Sequence, residues 1–141
     1  MDLYSPAVFG DNPYEQKTPV TGRVVAVLRG ITDRRGLQIT PLRSRAVPAG
    51  VIHELMMTDE EAALESTVNR VALLAFFEVT DGGVILVGDA VRCGEQVLGI
   101  VAGFDETHMP NHQNICLRGE LTDGATLHLQ LNESVIFLQP L

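Results

Sequence analysis

The sequence predicts a mainly β domain: a small closed or nearly closed β-barrel with one short helical insertion at about residues 58–68. Three observations predict it. About nine short runs, β-branched or alternating in polarity, follow one another at close spacing. Turn-forming clusters stand between them, among them Asp81-Gly82-Gly83, Gly94-Glu95, Asp123-Gly124 and Asn132-Glu133. One segment alone, opening with Thr58-Asp59-Glu60-Glu61, carries the capping box of a helix start.

Val20 to Ile31 is rich in β-branched residues and stops at Thr32-Asp33-Arg34-Arg35-Gly36. Leu37 to Thr40 alternates until Pro41 interrupts it, as at an edge or bend. Val51 to Met57 is a second apolar run. The acids after Thr58 suit the positive end of a helix dipole, and Leu64 and Val68 give an apolar i, i+4 pair. Arg70 to Thr80 reads as a buried strand that turns directly into Val84 to Val87, a hairpin. Val91 to Cys93 and Val97 to Ala102 read as the next hairpin. Asn114 to Leu121, Thr126 to Leu131 and Ser134 to Gln139 complete the set; Thr126 to Leu131 alternates strictly, with His128 on its wet face.

At 141 residues the chain has the length of one domain, 1–141, with 1–18 expected as an irregular N-terminal arm. A domain of this size buries roughly 68% of its unfolded surface, so it requires no disulfide or metal to fold. Cys93 and Cys116 lack any Cys-x-x-Cys spacing and read as two buried thiols. No run approaches a membrane span, and Met1 to Pro6 shows no export signal, so the expected compartment is the cytoplasm. A net charge of −8 argues against nucleic acid or an anionic membrane as partner. The charge is uneven: residues 1–57 hold seven basic and five acidic side chains, residues 58–141 three and thirteen. An internal pairing of the two halves, or pairing with another subunit, accounts for this better than an anion site at Arg34, Arg35 and Arg43.

Residues 84–119 carry a loose family likeness. The hairpin Gly88 to Gly103, followed by His112-Gln113-Asn114-Ile115-Cys116-Leu117-Arg118-Gly119, resembles the central stretch of the glucitol/sorbitol-specific enzyme IIA component of the sugar phosphotransferase system. The resemblance implies a closed barrel of the six-stranded type. It does not carry over the activity: the family's phosphoacceptor His-x-His-Gly falls here on Ala75-Phe76-Phe77-Glu78-Val79, which has no histidine.

The densest polar cluster is Asp105 to His112. Asp105, His108 and His112 are the residues expected to hold a divalent metal or ligand, if any do, since imidazole and carboxylate suit zinc and its neighbours. Their spacing is helical, but Pro110 removes that argument. His53 and Glu54 are strand neighbours facing opposite sides, so no catalytic pairing between them is expected. Consecutive large apolar pairs, Met56-Met57 and Phe76-Phe77, require cover on both strand faces and so predict a homo-oligomer. No nucleotide-binding loop or nucleophile elbow is present. The leading expectation is therefore a non-enzymatic, self-associating domain of unknown function that binds a small ligand. Its alternatives are a metal-dependent enzyme or binder using the 105–112 loop, and a phosphotransferase-like regulatory module.

Overall fold

A computed structural model describes residues 13–140, and among them the chain is all β with no helix. Residues 13–19 run without regular structure; the rest of the expected arm, 1–12, lies outside the described residues. The strands are β1 (Val20–Val27), β2 (Ile31–Thr32), β3 (Leu37–Gln38), β4 (Ser44–Val47), β5 (Ile52–Thr58) and β6 (Thr67–Val68), then β7 (Val71–Asp81), β8 (Gly83–Leu86), β9 (Ala90–Cys93), β10 (Gln96–Asp105), β11 (Asn114–Arg118) and β12 (Ser134–Leu138).

Seven of them form a ring in the order β1-β12-β9-β10-β11-β5-β7, which returns to β1 because β1 also pairs with β7. All its ladders are antiparallel except β5–β11, where Glu54 to Thr58 run alongside Asn114 to Arg118. Every ring strand sends side chains inward, and Leu55, Phe77, Phe104, Ile115 and Phe137 are wholly buried there. Burying a side chain of this size contributes roughly 1.5–3 kcal/mol. A second cluster, with Leu37, Ile39, Met56, Val68, Val71 and Cys116, lies on the outer face of β5 and β11. It explains Met56-Met57: Met57 packs inward, Met56 outward, and both are 1% exposed within the one chain. That pair therefore gives no argument for a second subunit.

The helical insertion at 58–68 does not form. Ala62 and Glu65 take positive φ (54° and 66°), which an α-helix does not admit. Thr58 Oγ1 accepts from Glu60 N, as a cap would, but it also donates to the Arg70 carbonyl. Glu60 does not stabilise a first helical turn; its carboxylate accepts from the Asn69 and Arg70 amides and closes the loop. Glu65 and Ser66 meanwhile exchange backbone bonds with Ile39, so Ala62 and Val68 are delivered to the outer cluster. Tertiary packing overrides a weak helical preference.

Two strand expectations also change. β8 does not fold back on β7, whose two edges are already taken by β5 and β1; it pairs instead with β4, Ser44 opposite Leu86. Thr126 to Leu131 is not a strand. Leu127, His128 and Leu129 amides bond back to Asp123, Ala125 and Gly124 carbonyls, and Asp123 caps the turn by accepting from Gly30 and Thr126 amides. The hairpin about Gly94-Glu95 forms, with Cys93 opposite Gln96.

The turn that begins at Asp123 wedges its backbone where β1 leaves β7. Gly124 N donates to Leu73 O and Ala125 N to Leu28 O, and a side chain on Gly124 would collide with the carbonyls of Leu74 and Leu28. Gly124→Ala is therefore expected to cost about 2 kcal/mol, read as a lower urea midpoint without loss of β content.

Candidate functional site

The parallel register of β11 on β5 sets the end of the loop 106–113 beside the start of β5, and Glu54 N donates to the Gln113 carbonyl. On β5, alternation turns His53 toward the ring interior, near Phe77, and Glu54 outward with Met56. Within the loop, Asn111 and His112 amides both bond back to the His108 carbonyl. This single turn needs no amide proton from position 110, so Pro110 fits within it, and His108 and His112 come to the same side.

Three potential ligands meet there. His108 Nδ1 lies 3.3 Å from His112 Nε2, and His112 Nε2 lies 3.4 Å from Glu54 Oε1. One donor atom from each residue falls within 4.8 Å of the others. Asn111 Oδ1 sits 2.7 Å from His112 Nδ1; an oxygen that only accepts requires the proton on Nδ1, which leaves the Nε2 lone pair facing Glu54 and His108. Phe76 packs edge-on against the His112 ring at 5.0 Å and fixes its plane. Glu54 is 6% exposed, whereas His108 faces solvent.

Asp105, expected with the two histidines, is turned away from them. Its buried carboxylate accepts from the Gln38 amide (2.7 Å), the Thr107 amide and hydroxyl (both 2.9 Å) and Asn114 Nδ2 (3.1 Å). Glu54 stands in the third place. The strand pattern gave no pairing of His53 with Glu54, and none exists; the partner of Glu54 is His112, from a loop distant in sequence. The sequence shows Glu54 as a carboxylate within the apolar run Val51 to Met57, an unusual residue there, but gives no sign of its partner.

The surroundings tune these groups unequally. Burial pushes the Glu54 carboxyl above its ordinary value, against the opposing pull of Arg35 and His108. Burial, then Arg45 and His112, holds the His53 imidazole low, and its Nδ1 accepts from the Gln113 amide at 3.1 Å. For Asp105 burial acts upward, yet its hydrogen bonds together outweigh it and the carboxyl lies below its ordinary value. Burial and neighbouring acids push both thiols up to about 12, so Cys93 and Cys116 are not nucleophiles near neutrality.

The arginines do not gather into one site. Arg34 is exposed beside Asp33, Arg35 faces Glu54 electrostatically, and Arg43 lines a separate cleft with Arg118 and Glu61. Other cations of the first half meet acids of the second: Lys17 with Asp89, Arg23 with Glu78, and Arg45 with Glu106.

Two stability measurements separate the two acids. Asp105→Ala leaves several buried donors without an acceptor and is expected to cost about 3 kcal/mol in urea unfolding. Because the folded pKa of Asp105 is depressed, its contribution is present above the ordinary carboxylate value and is lost as pH falls through the lower folded one. Glu54→Gln has the opposite sign. With a raised folded pKa, the wild-type group is neutral in both states in strong acid and penalises folding as pH rises. The metal-free Gln variant should therefore equal wild type in acid and exceed it in thermal stability at neutral pH.

Residues 14–138 match the family described as "Family of unknown function (DUF6917)". No curated protein and no solved structure matches the chain.

Proposed function

The chain belongs to the DUF6917 family, whose function is unknown, and from its geometry we propose that it binds a divalent transition metal, of zinc type, through Glu54, His108 and His112. One observation carries the reading. Ligand atoms about 2.0–2.1 Å from a tetrahedral zinc stand about 3.3–3.4 Å apart, and the two shortest separations here are 3.3 and 3.4 Å. The Asn111 contact, which orients His112 by its other nitrogen, is the outer support that metal-bound histidines use. A metal would take the place of the proton that now joins the two imidazoles, and it would supply the positive charge that buried Glu54 lacks.

Glu54, His108 and His112 would hold the metal with three protein ligands, and of these His108 is exposed to solvent. Sites of that type bind an exogenous molecule or activate water, and the metal supplies Lewis acidity there. The phosphotransfer reading has less behind it. Ala75 to Val79 is a strand engaged in the ring and carries no histidine, where a carrier needs an accessible nucleophile.

The wider reading is of a small barrel-like domain in a reducing cytoplasm, with two free buried thiols. For self-association, the support lies in Val97 and Ile100, 72% and 46% exposed on the outward side of β10. Native mass spectrometry after incubation with Zn²⁺ reads both questions. One metal per wild-type chain is expected, with none retained by His108→Ala or His112→Ala and affinity reduced at least about 100-fold in calorimetry. Failure of the wild-type protein to take up Zn²⁺, Co²⁺ or Mn²⁺ would remove the metal reading, and a monomer at all concentrations would remove self-association.

A further inference from the structure

A cleft of about 610 Å³ opens on the other side of the loop that carries the histidines. Its floor and walls include His53 and Val51 from the start of β5, Arg45 and Val47 from β4, Val84 from β8, and Gln113 from the loop. Among the described residues that line it there is no carboxylate, although the chain carries a net charge of −8. Val47, Pro48, Val51, Val84 and Met109 supply apolar wall, and of the polar lining groups His53 and Arg45 meet at the end held by Gln113, which bonds to both.

His53 decides what that end can hold. The Gln113 amide donates to Nδ1, which therefore bears a lone pair, so the ring proton resides on Nε2. That Nε2–H has no acceptor among the described residues, and the side chain lines the cleft. A donor without a protein acceptor that opens onto a cleft is available to an acceptor bound there. Beside it, Arg45 is held rigid. With the Gln113 amide turned so that its oxygen faces the guanidinium, it accepts from Nε at 2.7 Å and Nη2 at 3.1 Å, while Nη1 reaches Glu106 at 3.3 Å. Gln113 thus fixes the histidine through its backbone and the arginine through its side chain.

We propose that this cleft is a binding site for a small organic anion with an apolar body, whose carboxylate accepts from His53 Nε2–H in the positive field of Arg45 while its chain lies along Val47, Val51 and Val84. An anion is favoured because the open donor and the fixed cation stand together with no acid among the described lining residues; Glu106 meets Arg45 at Nη1 from outside that lining. The apolar body follows from the walls, and the volume is that of ordinary small-molecule sites. The inference is independent of the metal reading, since none of Glu54, His108 and His112 lines the cleft.

Hexanoate is the probe, with hexylamine and 1-hexanol as matched controls, titrated by calorimetry and by ¹H–¹⁵N NMR of the full chain. Hexanoate is expected to saturate below about 10 mM, a range open to a ligand of this size. The shifted amides should cluster at Val47, His53, Val84 and Gln113, and neither control should saturate there. His53→Ala should weaken binding about tenfold or more, the loss of a buried hydrogen bond to a charged group. Val84→Trp, which fills the cleft and leaves His53 in place, should abolish binding whether or not the first variant folds. His108→Ala should leave binding unchanged, so that failure of the metal site and failure of this one are told apart. Absence of saturation, shifts mapping elsewhere, or equal binding of hexylamine would each overturn the proposal, as would binding of inorganic phosphate in place of hexanoate.

Discussion

The Asp105 carboxylate is shut away from water and survives as a charge because three separate stretches of chain supply its hydrogen bonds. Gln38 brings β3 onto the outer face of the sheet, Thr107 lies in the first turn of the loop after β10, and Asn114 starts β11. An ion in a medium of low polarity costs several kcal/mol unless it is fully satisfied, so these donors are held to their positions as strongly as the charge is held to its own. Everything near the candidate centre inherits that constraint. The loop leaves β10 in one direction only, β11 enters beside β5 in one register, and His112 arrives opposite Glu54 as a result.

Set against Asp105, the other buried acids show what is distinctive about Glu54. Asp89 lies 2.9 Å from Lys17 Nζ and also accepts from the Leu86 amide, an ion pair closed within the fold. Asp105 has its ring of donors. Among the described residues the Glu54 carboxylate meets an imidazole at 3.4 Å and no hydrogen-bond donor of the backbone, and burial raises its pKa. A carboxylate placed in apolar surroundings without matching partners lowers stability, and such a cost persists where the group serves a ligand. The same contrast holds on the inner face, where the Nδ1 of His53 is satisfied and its Nε2 is left open to a cleft.

The β-rich character was legible because it rests on many short segments, each with its own pattern. The Gly94-Glu95 hairpin is local, and its two-residue turn determines its register without outside help. The errors fall where a segment's fate is decided by partners remote in sequence. Thr58 to Val68 has the chemistry of a helix start, but its apolar residues are claimed by Leu37 and Ile39. Val84 to Val87 follows a turn, yet β7 has no edge to offer it. The alternation of Thr126 to Leu131 is satisfied just as well by a turn that buries Leu129 and half-buries Leu127. Of the candidate centre, His108 and His112 were visible as a cluster. Glu54 was not, because the parallel β5–β11 pairing that brings it there leaves no trace in either strand's own sequence.

The closure of the ring has a kinetic side. β1 is hydrogen-bonded along both edges, and its partners are remote: Val20 faces Phe137 and Thr21 faces Asp81. Neither ladder can begin from a local turn, so each requires a long loop to be closed before any bond rewards it. Chains ruled by such pairings fold on the order of milliseconds to seconds, with the rate set by the entropy of the search rather than by helix or turn propensity. Until β1 is seated, β7 and β12 present open edges, and the half-closed sheet is the species most exposed to pairing with another chain. The speed with which β1 finds its slot thus governs how much of a newly made chain reaches the ring at all.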